Sequence, residues 1–465
     1  MLSPDKANEG ASSWSGWSSF ESKVITFAIN ADNKFMAPTE YRSPTAFQAF
    51  LRSGNKPSRS IHILEGLAPS FISTICDHFR IHPSVFADHH RLVAFSERVT
   101  GESGGIPFLP SSIEGRRHVS LKYHEALTVY PRPTGFRNLC QTTGRHLMAT
   151  RISETLSEVM IARRKCTVWS RKLGYDGWDC LVICDPPIRR ILTGPTTKHG
   201  FNVATSQYNG GYLDFTPCDS QLHAPSGPPF TSLLDDISFY IRNHSARLDV
   251  NDPLCALLFI EKIIASHFMK TIEFVESTLE KLQWTLSRRT NLSEFTLTSA
   301  ERHFSDIQAW ERRVNEFKND LLGIMLQLRI APGQLDLDRA GTLKPSATDF
   351  RFLHHRLTEL SQVVSRVNGS IASLVSFTGS RSALKAQELS LQMADQSIRD
   401  ANNIKALTIL GLVFIPFSYT ASLFSMADGY SPSGGSFWIY FAVSLPLTGL
   451  LVLGYFFLTK NLHWK

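Results

Sequence analysis

Near its C-terminal end the chain carries two long stretches without a formal charge, and nothing else in it limits the possible folds so strongly. Ala406 to Ala427 runs for 22 residues and Phe437 to Thr459 for 23. A hydrocarbon core about 30 Å thick is crossed by roughly 20 apolar residues in a helix, so both stretches are predicted to be transmembrane helices. The segment between them, 428–436, contains "DGYSPSGG". It is long enough only for a turn, and the two helices therefore form a hairpin. Arg399 and Lys405 precede the first helix, and Lys460, His463 and Lys465 follow the second, whereas the turn carries only Asp428. Basic residues favour the cytosolic side. The large N-terminal region and the basic tail 460–465 are thus expected in the cytosol, with the turn outside. Tyr430, Trp438, Tyr440 and Trp464 fall near the expected interfaces, where amphipathic rings settle. The expectation is a multi-pass integral membrane protein, with the plasma membrane as its site and the lipid bilayer as its first partner.

The first of these helices is not a uniform anchor. Thr408, Gly411, Ile415, Ser418, Ser422 and Ser425 recur at spacings of three and four, which places them on one face. A small, hydroxylated stripe suits close packing between helices and equally suits the wall of a narrow pore. Spacing alone leaves both open. Pro416 removes one backbone donor, which a membrane helix tolerates where a neighbour or water satisfies the freed carbonyl.

Upstream, residues 348–405 contain no proline, and Leu353, Leu357, Leu360, Val364, Val367, Ile371 and Leu374 alternate at four and three. That is a heptad seam, followed by a shifted one at Leu384, Leu391 and Ile398. One helix from Thr348 to Ala427 would reach on the order of 120 Å and needs neighbouring helices or sister subunits to cover its seams. Gly369 and Gly379 are the positions where it would weaken. Two more helices are predicted within 230–347, from Pro253 to Arg289 and from Ser293 to Leu328, with Ser293 or Thr298 as the cap of the second. A loop carrying Asp336 and Asp338 follows. Residues 23–229 read as a mixed α/β domain: "HVSLKYHEALTVYP" and "CTVWSRKL…WDCLVICDPP" are strand candidates, and "APSFISTICDHFRIHPSVFADHH" gives two short helices around His82 and Pro83. Residues 1–22, with neither signal-peptide nor transit-peptide character, read as a disordered lead-in.

The remaining chemistry excludes more than it offers. Forty-eight basic against 41 acidic residues is a mild excess for 465 residues, and no zinc-finger or aromatic RNA-binding pattern accompanies it, so nucleic acid is not expected as a partner. Seven scattered cysteines suit a reducing compartment; Cys180 and Cys184 share one face of a strand and read as buried thiols. His78, His82, His89 and His90 cluster without the spacing of a zinc site, and Asp176, Asp179 and Asp185 read as turn and strand-end residues. Asn243, Asn291 and Asn368 head glycosylation sequons that a cytosolic site leaves unused. No phosphate loop, nucleophile elbow or metalloprotease motif is present, and an enzyme is not expected.

The order of parts resembles the CorA superfamily of divalent-cation channels, in particular its divergent fungal members. The likeness rests on the α/β domain, the long helix entering the first membrane segment, the short outer turn, the second segment and the basic tail. "KALTILGLVFIPFSYTASLFSM", Lys405 to Met426, is similar to the family's first segment, including the step Ile415-Pro416, and "APSFISTICDHFRIHPSVFADHHR" and "WDCLVICDPP" are similar to elements of the fungal members. The resemblance implies an α+β cytosolic domain, long helices and a transmembrane hairpin assembled as a homopentamer. It implies divalent cations as cargo, Mg²⁺ first among them, and no resident cofactor. By position, Ile404, Leu407, Gly411, Ile415, Ser418, Ser422 and Ser425 would line the pore, with Ile404 and Leu407 as an apolar constriction. At the outer mouth, Ser425, Met426 and Ala427 stand where the family carries Gly-Met-Asn, and Asp428 follows. Ala427 brings no oxygen to that ring. The expected function is therefore a divalent-cation channel, with a non-conducting relative of the same architecture, or a Zn²⁺ or Ni²⁺ transporter, as the alternatives.

Overall fold

The structure, a computed structural model, describes residues 22–54, 57–90, 115–133, 138–150, 156–174, 176–193, 199–210, 232–288, 297–333, 345–426 and 435–462. By contact density the chain divides into two units, Met1–Ala372 and Ser373–Lys465.

Among the described residues, the first unit is built on one mixed sheet of eleven strands. Its spine is β7 (Glu158–Leu173), sixteen residues long. β4 (His118–Tyr130) runs antiparallel along one edge of β7. On the other edge, the N-terminal half of β7 pairs with β6 (His146–Ala149) and the C-terminal half with β8 (Gly177–Cys184). Beyond β8 lie β3 (Arg59–Glu65), β1 (Lys23–Ile29) and β2 (Thr39–Tyr41). Beyond β6 lie β5 (Asn138–Cys140), β9 (Arg190–Thr193) and β10 (His199–Asn202), and β11 (Ala204–Gln207) pairs with β4. β3 and β8 are parallel, joined through a long crossover. The two segments predicted as strands are thus the middle of the sheet. β8 is buried at nearly every position, as a strand covered on both faces must be, which is why "WDCLVIC" lacks alternation.

Helices α1 (Pro44–Arg52), α2 (Pro69–Phe79) and α3 (Ser84–His90) bury Phe47, Phe71, Ile75, Phe79 and Phe86 with Leu64, Trp169, Leu181 and Ile183 of the sheet. α2 and α3 are the two helices expected around His82 and Pro83. Pro69 opens α2, and Arg80 closes it in the left-handed region (φ 53°), a position that usually falls to glycine. α4 (Leu233–His244) begins at Ser232, whose hydroxyl accepts from the Asp235 N–H, with Asp235 and Asp236 in the first turn and Arg242 and His244 in the last. Charges of those signs favour the helix dipole.

α5 (Leu257–Arg288) and α6 (Leu297–Gln327) pack on β4. α5 starts later than Pro253 because Asp249 and Asp252 hold turns, accepting from the N–H groups of Asn251 and Leu254, a local bond that competes with helix. Thr298 lies inside the first turn of α6 and is not its cap; Ser293 falls outside the described residues. α7 (Pro345–Ser425) is the 81-residue helix that the heptads predict. It begins three residues before Thr348, at Pro345, a residue tolerated in the first turn. Leu353, Leu357, Leu360, Val364, Val367 and Ile371 are buried, and Arg356, Ser361 and Asn368 bond Glu276, Asn315 and Glu311 of α5 and α6.

The second unit holds the remainder of α7 and α8 (Trp438–Leu462). Leu384, Leu391 and Ile398 are exposed in the single chain. α7 and α8 each contain a stretch long and apolar enough to cross a membrane, and only 11% of each is buried, so neither is the core helix of a globular domain.

Candidate functional site

The stripe read from spacing, Thr408 to Ser425, and the positions Ile404 and Leu407 that the resemblance adds lie along one face of α7 over 21 helical steps, which at 1.5 Å per residue is roughly the thickness of a bilayer's hydrocarbon core. Ile404, Leu407 and Ile415 are exposed at 63%, 71% and 69%, and Ser418, Ser422 and Ser425 are exposed as well. Gly411 is half-buried, and a Cβ added there would meet only the end of Ile415 at 3.9 Å. Among the described residues nothing requires a glycine at that position. Met426 follows the helix and is exposed. Ala427 and Asp428, the rest of the expected outer mouth, lie outside the described residues, as do Asp336 and Asp338.

Three hydroxyls of this face spend their protons on their own helix. Thr408 donates to the Ile404 carbonyl at 2.7 Å, Ser418 to Ile415 at 3.0 Å and Ser422 to Ser418 at 3.0 Å. Their oxygen lone pairs then point outward as acceptors. The waters around a cation turn their protons outward, so acceptors without charge are the chemistry that meets a hydrated cation and releases it again.

α8 meets a different face of α7. Pro416 and Thr420 are buried there with Ser444 and Thr448, and the Tyr440 hydroxyl donates to the Phe417 carbonyl at 3.2 Å. The ring of Tyr440 lies 6.4 Å from that of Phe417 and 6.3 Å from that of Phe424. Of the two uses that spacing left open for the serine face, close packing inside the hairpin is therefore not one.

In the first unit the clustered histidines and aspartates serve packing. His78 sets its ring edge-on to Phe79. His82 accepts from the Ser84 N–H at the start of α3. His89 is buried, 3.1 Å from Asp185 and 3.0 Å from Thr167; burial pushes both His89 and His90 down to about 4. Burial opposes ionisation of Asp185, yet Arg145 and then His89 hold it well below the ordinary carboxylate range. Asp179 takes a two-nitrogen grip from Arg171 at 2.8–2.9 Å. Asp176 is an exposed turn residue. Cys180 and Cys184 are buried thiols pushed well up by burial, and Cys218 falls outside the described residues.

Sequence reading missed the joint between β4 and α6. His124 lies 2.8 Å from Asp320, Lys122 is 2.9 Å from Asp320 and 3.6 Å from Glu316, and Arg163 is 2.6 Å from Glu316. His124, Glu316 and Asp320 bring potential ligand atoms within 4.8 Å of one another. Two factors make this a structural joint. Lys122 and Arg163 already balance both carboxylates, and the buried Nδ1 of His124 has no hydrogen-bond partner among the described residues, whereas a metal-bound histidine gives its second N–H to an acceptor. Burial raises Asp320, but His124 and Lys122 outweigh it and hold the carboxyl low. The available signal was the alternation in "HVSLKYHE", which puts Lys122 and His124 on one face; their shared partner, Asp320, is some 200 positions away.

No family model matches the sequence, and no curated protein matches it. Among solved structures the chain is similar to the complete structure of the CorA magnesium transporter from Methanocaldococcus jannaschii, with 11% identity, a TM-score of 0.36 and coverage of 92% of this chain and 96% of that one. A likeness of that strength establishes no family, and the functional reading rests on the chain's own α7 and α8.

Proposed function

We propose that the chain is a membrane channel or transporter for divalent cations, Mg²⁺ first among them, conducting along the serine-bearing face of α7. The observation that carries this reading is the outward face from Ile404 to Ser425: it spans about one hydrocarbon core, is left open by α8 and presents acceptor oxygens without fixed charge. A face of that kind is costly against lipid, since every polar group there needs a partner. Five copies around a common axis would turn it toward water, with Ile404 and Leu407 as an apolar constriction that closes by dewetting. Arg399, Lys405 and Lys460 favour a cytosolic location for both termini. An inside-negative potential of 100 mV then drives a doubly charged ion inward with about 4.6 kcal/mol.

The test is ion-resolved uptake into proteoliposomes containing the full chain. Mg²⁺ influx that follows the imposed potential is expected. Ser425→Ala and Ser422→Ala each remove an acceptor worth about 0.5–1.5 kcal/mol, so flux falls by roughly two- to tenfold. Absence of flux for every divalent ion removes the channel reading in favour of a non-conducting membrane protein, an outcome that Ala427 in place of the family's asparagine motivates. Preference for Zn²⁺ or Ni²⁺ would change the cargo and keep the mechanism.

A further inference from the structure

Pro416 has no N–H, so the carbonyl of Leu412 receives no ladder bond and α7 is joined across that turn by fewer bonds than elsewhere. The helix is therefore locally weaker at this turn and depends more on its surroundings to hold its geometry. Just after the break, the carbonyls of Pro416 and Phe417 accept side-chain donors as well. Thr420 Oγ1 donates to the Pro416 carbonyl at 2.9 Å, with the Phe417 carbonyl at 3.1 Å, and the Tyr440 hydroxyl of α8 reaches the Phe417 carbonyl at 3.2 Å. The Tyr440 ring also lies against Phe417 and, nearly perpendicular at 88°, against Phe424. Phe417, Thr420 and Phe424 recur at three and four and form the face turned to α8. Ser418, Ser422 and Ser425 recur at four and three, roughly a third of a turn away. The roll that seats the first set presents the second.

We infer that Tyr440 is a positioning residue: its hydroxyl, bound to the first carbonyl after Pro416's own, fixes the roll of the last turns of α7 and thereby turns the serine face away from α8. Its consequence for conduction rests on the channel reading above, while the roll itself is a property of the hairpin. No other hydroxyl–carbonyl bond from α8 to α7 is seen among the described residues of the hairpin. With the Tyr440 hydroxyl removed, its ring still lies against Phe417 and Phe424, but the hydrogen bond that ties one backbone position of α7 to α8 is gone.

The test is peptide-resolved amide hydrogen exchange on the full chain in lipid nanodiscs. Loss of one interhelical hydroxyl bond in a bilayer shifts a local equilibrium by about three- to twentyfold. Tyr440→Phe is expected to speed exchange in residues 417–426 by that factor, with 406–415 and α8 unchanged and the mass of the assembly retained. Thr420→Val, which removes a bond within α7 and leaves the grip of α8, is expected to leave exchange unchanged. Unaltered exchange at 417–426 in Tyr440→Phe overturns the inference, as does an equal rise along both helices or an equal effect of Thr420→Val. Flux is measured on the same variants reconstituted into proteoliposomes. A wild-type chain that does not conduct removes the channel reading while exchange still decides the role of Tyr440; a conducting chain slowed by Tyr440→Phe, with exchange raised only beyond Pro416, supports both.

Discussion

His89 sits fully buried beside Asp185, and burial pushes it down to about 4, so the folded chain holds it neutral. An unfolded histidine titrates near 6.5. Between those values the unfolded chain takes up a proton that the folded chain refuses, and stability falls as pH drops through that window. The full effect is on the order of 3 kcal/mol. Asp185 acts in the same direction at lower pH: its ionised form is favoured by Arg145 and His89, and that stability is lost as the carboxyl is protonated. Lys165, pushed down to about 7 by burial and then by Arg145, adds stability as pH rises from 7 toward its ordinary value. The urea midpoint of tryptophan fluorescence for the detergent-solubilised chain is therefore expected to fall between pH 7 and 4.5, with His89→Gln flattening the slope between 6.5 and 4. A wild-type midpoint independent of pH in that range would contradict the buried neutral histidine. Clustering in sequence drew attention to His78, His82, His89 and His90, yet only the fold separates an edge-on ring, a turn acceptor and a buried partner of a carboxylate.

At the level of elements, the first heptad seam of α7 was legible because a helix that covers an apolar line must repeat it every 3.5 residues. Leu357 and Val364 are fully buried and Leu353 and Leu360 nearly so. Leu357→Ala is expected to cost about 2–5 kcal/mol, read as a lower thermal midpoint with little change in flux, since this seam is remote in sequence from Ile404 to Ser425. A loss under about 1 kcal/mol would mean the seam is not packed as described. The serine face was equally legible as a periodicity, but its use was not. Its spacing is the same whether it meets α8, another copy or water, and only the contacts of Pro416, Phe417, Thr420 and Phe424 with α8 remove the first of these.

For the whole molecule, assembly is the property on which the proposed function depends. Leu384, Leu391 and Ile398 fall seven residues apart and are 61–66% exposed in the single chain. An apolar line at heptad spacing is stabilised by meeting its equivalent on another copy. The double variant Leu384→Glu, Leu391→Glu places like charges on that line, and the solubilised assembly is expected to fall from a multiple of the chain mass to a single chain by native mass measurement. Retention of the wild-type mass would show that these residues face solvent in the assembly, and a wild-type single chain would remove the pore along with them.

By itself the sequence determined the two helical stretches long and apolar enough to cross a membrane, the long helix that contains the first of these stretches and the central strands. Each follows from properties that act within one segment: apolar length against bilayer thickness, a repeat of three and four, β-branched runs between turns. Tertiary structure alone decided that α8 takes the proline and aromatic side of α7, that the sheet branches at β7, and that Lys122 and His124 meet an aspartate at position 320. Those outcomes depend on which distant surfaces bury one another, and segments of identical local pattern satisfy several such pairings equally until the rest of the chain excludes all but one.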